Sequence, residues 1–330
     1  MPVKWLLIAA AAVHLAAASS PPEPITTIDV GVRENAQTGT VQPSPPKLTP
    51  EQSERINFGK YTVPPTLQSL LDLRQELGDP ERLYDAVYFF VNTENFRYFS
   101  TPSDVVVFGN VGVDGVHYGF LTDYGTVADL EEAPIVCISP MDFDRPVRIV
   151  AKNLKDFLRL SLTDANLVLN PFGTEAEYLA AQERWAEEEK ASPYQRTEEE
   201  KQARLEVIHE LQKRISLPEL GLSAFSYVQK TSEERGKQVT IRTLDGLGVT
   251  TPLEQGRLHE EFKVSKDEPI DLSKLKAYLA GAPRASKLAL LRDLQITRVL
   301  PNERELQPLL LEEMQRLGLK DEAARIQASY

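Results

Sequence analysis

The sequence predicts an α+β protein, and three observations carry that prediction. Between Val105 and Val150 the chain writes several short β-branched and aromatic runs separated by turn residues. Apolar residues recur at helical spacing on both sides of that stretch. Beyond Leu162 the composition turns rich in Glu, Lys, Arg, Gln and Ala, which marks a mainly helical extension.

The chain has 330 residues, 42% hydrophobic and 26% charged, enough for one large or two modest cores. Its net charge of −12 excludes nucleic acid and anionic membranes as natural partners. The single Cys137 excludes an intrachain disulfide and a multi-cysteine zinc site. It lies in the apolar run Ile135 to Ile138 and reads as a small core residue.

Taken in order, residues 1–18 have the form of a secretory signal: Lys4, an apolar stretch, then Ala16-Ala17-Ala18. The stretch is too short for a membrane span. Two alternatives stay open, export with a cleaved signal or a cytoplasmic protein whose true start lies downstream. Residues 19–48 are rich in Pro, Thr and Ser without apolar periodicity, and read as a disordered linker. Thr49-Pro50-Glu51 is a helix start. Pro65 suits the first turn of a helix Thr66–Leu77 with Leu67, Leu70 and Leu71 on one face, ended by Gly78-Asp79-Pro80. Val87 to Val91 reads as an apolar strand.

The central stretch follows. Val105 to Phe108 is a strand stopped by Gly109-Asn110, and Asp114-Gly115 is a hairpin turn. Val116, Tyr118 and Phe120 alternate along the next strand, with one face expected to be the more deeply buried. Ile135 to Ile138 and Val147 to Val150 are two more strands. Asn153 caps a helix carrying Leu154, Phe157, Leu158 and Leu162. Helices are then predicted over Thr174–Lys190, Thr197–Ile215, Leu272–Leu279, Ala285–Leu294 and Asn302–Leu317, with a last turn at Asp321–Ala328. Leu205, Ile208, Leu211 and Ile215 form the predicted buried face of the second of these. Phe225–Thr231 and Val239–Leu244 read as a strand pair.

Residues 58–162 resemble the SUKH superfamily of fungal cell-wall-synthesis regulators and bacterial immunity proteins. The resemblance is carried by Val63-Pro64-Pro65 with Leu67, Leu70 and Leu71, by the Phe108–Phe120 hairpin region, by Pro134–Ile138, and by Ile149–Leu158. It implies a domain over residues 49–165 with a central mixed or antiparallel sheet flanked by helices, followed by a helix-rich region over 166–330. The function it implies is non-enzymatic protein binding, in particular neutralisation of a toxin such as a nuclease.

Charge offers a surface for such binding. No Lys or Arg occurs from Tyr98 to Asp144, while eight acidic residues do. Asp123, Tyr124, Asp129, Glu131, Glu132, Asp142 and Asp144 are the candidate partner-binding residues, with carboxylates set to occupy a basic groove. The bland alternative is a set of solvated loop carboxylates. No catalytic order of residues is defensible. His117 alternates with core positions, His209 lacks a zinc partner, and Gly109–Gly115 lacks the Gly-Lys-Ser/Thr ending of a phosphate loop. No cofactor or metal is expected. Two other readings remain: an exported hydrolase using paired carboxylates such as Asp123 and Glu131, and a regulatory scaffold acting through the helical tail.

Overall fold

A computed structural model of the chain describes residues 48–142, 144–265, 268–297 and 305–329. The expected signal, most of the expected linker and the start of the expected Asn302 helix lie outside the described residues.

The first helix, α1 (Pro50–Phe58), begins where Thr49 and Gln52 close a reciprocal capping box over a proline at the first helical position. Next comes α2 (Pro65–Leu77), which ends at Gly78 in the left-handed conformation. The segment expected to be a strand from Val87 behaves otherwise. Asp79 accepts from the Glu81 amide and Pro80 opens a short helix, α3 (Pro80–Val87), that buries Leu83, Tyr84, Ala86 and Val87. Only Phe90–Val91 remains as a strand, β1. The Asp-Pro-Glu signal that ended α2 also started α3.

The sheet is antiparallel throughout, with strands β1, β2 (Val105–Asn110), β3 (His117–Leu121), β4 (Ile135–Ile138) and β5 (Val147–Ala151) in sequential order. Consecutive side chains leave opposite faces, and here both faces are buried rather than one. Val106, Phe108, Tyr118, Phe120, Ile135 and Cys137 pack under the helices. Val105, Val107, Leu121, Val136, Ile138, Val147 and Ile149 form the other face with Leu247, and Phe96 packs against it. Gly119 is required at the centre: a Cβ there would stand 2.3 Å from Val105 Cγ1 and 2.9 Å from the Val106 carbonyl. The sheet's outer strands are both occupied. Arg74 donates to the Val91 carbonyl at 2.6 Å on β1, and the Tyr227 hydroxyl meets the Lys152 amide at 3.1 Å beyond β5.

Among the described residues, the remaining helices are α4 (Leu154–Leu169), α5 (Glu175–Ala191), α6 (Glu198–Arg214), α7 (Ala224–Gln238), α8 (Leu272–Gly281), α9 (Arg284–Ile296), α10 (Leu306–Arg316) and α11 (Lys320–Gln327). The expected strand pair at Phe225–Thr231 and Val239–Leu244 is overturned. Ser223 caps α7, whose Tyr227, Thr231 and Arg235 are buried at four-residue spacing, and only a single bridge, Ile241 to Val249, has strand character. On α6 Leu205 is 55% exposed while Val207, outside the expected face, is buried.

The boundary expected at 165/166 falls inside α4, one residue past a kink at Asp164. Val207, Leu211, Ile215 and Tyr227 share the core of α2, α3, α4 and the sheet. A second core joins α8, α9, α10 and α11, and Tyr124 is its one member from the first 238 residues among those described. The protein is thus α+β, with a helical C-terminal part.

Candidate functional site

An antiparallel meander sends alternate connections to opposite ends of its sheet, and this divides the acidic run. The pairing of Val105 with Leu121 places Asp104, Asp123, Asp129, Glu131 and Glu132 at one end. The pairing of His117 with Ile138 places Asp114, Asp142 and Asp144 at the other. Five residues of strand separate the ends by roughly 17 Å at about 3.4 Å per residue. The seven predicted residues therefore do not form one face.

At the first end, Asp123 and Tyr124 are interior, which corrects their assignment to a partner-facing surface. Both adopt positive φ, 48° and 54°. The Asp123 carboxylate receives both terminal nitrogens of Arg235, at 2.5 and 2.6 Å. Tyr124 is 6% exposed, donates to the Leu288 carbonyl at 3.3 Å and lies under the Arg292 guanidinium. Arg292 also contacts Asp104 at 2.7 Å and Asp245 at 3.0 Å. Burial raises the Asp104 carboxyl pKa, against the pull of Arg292.

The rest of that end is largely structural too. Asp129 accepts from the Glu131 amide at 2.9 Å, opening a single 3-10 turn. Glu131 accepts from the amide and hydroxyl of Thr66 and pairs with Lys155 at 3.0 Å. Although burial pushes its pKa up, those hydrogen bonds and Lys155 outweigh it and hold the carboxyl below its ordinary range. Glu132 is exposed. Asp123 and Glu131 are each committed to separate cations, Arg235 and Lys155.

The hairpin end is different. Asp114 and Asp144 are exposed, and Asp142 turns its Oδ1 to the amides of Asp144 and Arg145 at 3.2 and 3.0 Å. Apolar side chains stand among them: Val113 is 38%, Met141 52% and Tyr98 40% exposed. Gly115, at φ 68°, lets Tyr98 lie against the hairpin, since a Cβ there would meet the ring at 2.5 Å. Behind the tip, His117 is fully buried between the Thr101 hydroxyl at 2.9 Å and the Gly115 carbonyl at 2.7 Å. Desolvation lowers its pKa to about 4, so the ring is neutral at pH 7.

Two clefts have polar groups in their walls. One, of about 290 Å³, is lined by Glu51, Glu54, Arg74, Asn92, Thr93 and Glu94; there Arg74 already binds the Val91 carbonyl and Glu54 the Thr93 hydroxyl. The other, of about 60 Å³, brings His259 within 2.9 Å of Ser286, but Ser286 is 1% exposed and its oxygen receives the Glu260 amide. Among the described residues no group of three or more His, Cys, Asp and Glu side chains is placed to hold a metal ion. Comparison with protein-family models and with curated proteins returned no match to this chain.

Sequence reasoning missed the cations that consume the first end and the apolar side chains of the second. Arg292 had a visible signal: it is a charge inside the apolar run of α9, between Leu291 and Leu294. Val113 and Met141 had none, because turn residues carry no periodicity, and Tyr98, expected to enter the core from the 92–101 connection, is 40% exposed.

Proposed function

We propose that the chain is a protein-binding module that engages a basic partner through the hairpin end of its sheet. The observation that carries this reading is the grouping of exposed Val113 and Met141 with Asp114, Asp142 and Asp144 at two turns joined by the β3–β4 pairing, with exposed Tyr98 lying against the first turn at Gly115. An aromatic and aliphatic centre with a charged rim is the composition of an interface hot spot, and carboxylates steer a cationic partner toward it. The resemblance of residues 58–162 to SUKH proteins supports an immunity role, in which the partner is a toxin with a basic substrate groove, such as a nuclease.

The test compares three full-length proteins as baits in a lysate of the native host, with mass spectrometry of what each retains. They are the natural chain, the hairpin-end variant D114N/D142N/D144K, and the opposite-end variant D129N/E132K. The expected result is a stoichiometric protein of high isoelectric point held by the first and third and lost by the second. Equal retention by all three overturns the reading.

A further inference from the structure

Among the described residues, the buried cluster between the sheet and the C-terminal helices holds an unequal number of charges. Asp104, Asp123 and Asp245 are 0%, 8% and 4% exposed, and the cations among them are Arg235 and Arg292, at 7% and 1%. Three carboxylates against two guanidiniums leave one negative charge in excess, in a place where an uncompensated ion is strongly disfavoured. Glu322 and Arg325 of α11 also face Asp104, but they pair with each other at 4.0 Å and cancel.

The geometry also shows where the excess is relieved. Asp104 Oδ2 receives Arg292 Nη2 at 2.7 Å and the Tyr124 amide at 3.2 Å. Among the described residues, none donates a hydrogen bond to its buried Oδ1. A proton placed on Oδ1 displaces no donor, and it makes the cluster neutral. Asp123 and Asp245 offer no such oxygen: Arg235 holds both oxygens of the first, while the Leu247 amide, the Thr243 hydroxyl and Arg292 occupy the second.

This cluster is also the joint between the two cores. The second core reaches the sheet unit through Tyr124, and polar contacts run beside it: Arg292 to Asp104, Gln295 to the Ser103 amide and Thr101 carbonyl, and Arg325 to the carbonyls of Asn57 and Ser103. We propose that the cluster is a proton-operated clasp: the folded protein carries one proton on Asp104 Oδ1, and release of that proton loosens α8–α11 from the sheet.

Hydrogen exchange followed by mass spectrometry tests this on the full chain between pH 5.5 and 8.5, with rates corrected for intrinsic exchange. If opening releases one proton, the opening equilibrium of α9 rises about tenfold per pH unit, while β2 and β3 stay protected. The D104N protein should lose that dependence. Asp293, pushed up to about 6 by burial, and Glu322, also raised by burial, titrate nearby, so D293N and E322Q serve as controls that keep the Asp104 component. A flat profile in the natural protein, or an unchanged slope in D104N, overturns the proposal. A measurement that needs no variant stands beside it: carbon NMR of the aspartate carboxyls at pH 8 should show one protonated group, and full ionisation of every aspartate refutes the clasp.

Discussion

A buried histidine and a buried arginine make opposite demands on solvent. His117 is neutral inside the fold, with its pKa lowered to about 4 from about 6.5. Between those values the unfolded chain binds the extra proton, so stability is complete above pH 6.5 and declines as pH falls toward 4. The shift corresponds to about 3 kcal/mol at about 1.4 kcal/mol per unit. His117→Gln should remove this acid-side loss, seen as the difference between the two proteins' urea midpoints from pH 7 to 4. Arg292 is fully charged and lies between Asp104 and Asp245. Arg292→Met leaves buried carboxylates without their cation and should cost about 3–5 kcal/mol in urea unfolding, whereas Lys201→Met on the surface of α6 should cost less than about 1 kcal/mol. At this scale the sequence was only half legible. It shows that Asp123 and Asp129 are acidic, but the partner of Asp123 is 112 residues away, and no local pattern announces a pairing of that range.

Individual elements were far more readable, because their signals are local. Thr49, Asn153, Thr174 and Thr197 each cap the helix that follows; the sequence marks Asn153 as a cap and places helix starts at the other three. Thr49→Ala removes a reciprocal cap and should lower stability by about 1 kcal/mol in a thermal melt. The failures share a cause. In α3 a Pro after a turn both ended one helix and began another, and in α7 the buried residues Phe225, Tyr227 and Thr231 fit a strand as well as a helix until packing against β5 and α4 chose the helix. Asp114-Gly115 does turn the hairpin, but Gly109-Asn110, read as a turn, continues β2 past an irregularity in register, and Gly119 shows how tightly the sheet is built. Gly119→Ala forces a Cβ into the Val105 side chain and the Val106 backbone, both of them fully buried. A loss of about 3 kcal/mol is expected by circular dichroism.

For the whole molecule, the decisive fact is that the C-terminal helices complete the structure of the sheet end instead of standing apart from it. Leu247 covers part of the sheet's second apolar face, and Asp245 and Arg292 complete the ionic cluster begun by Asp104 and Asp123. Deleting residues 239–330 should therefore leave a protein that binds a hydrophobic dye and aggregates, whereas an independent sheet domain would remain monomeric in size-exclusion chromatography. The fold class was legible from composition and pattern, but this dependence was not, since it rests on contacts between distant segments. One consequence concerns the time over which the chain is made. The strands pair with their sequence neighbours, so the sheet can close as it emerges, but Arg292 lies 188 residues after Asp104. At roughly 5–20 residues per second, Asp104 waits roughly ten to forty seconds for its cation. During that interval the end of the nascent sheet carries unmatched acid, which water must solvate and which discourages one unfinished chain from pairing with another.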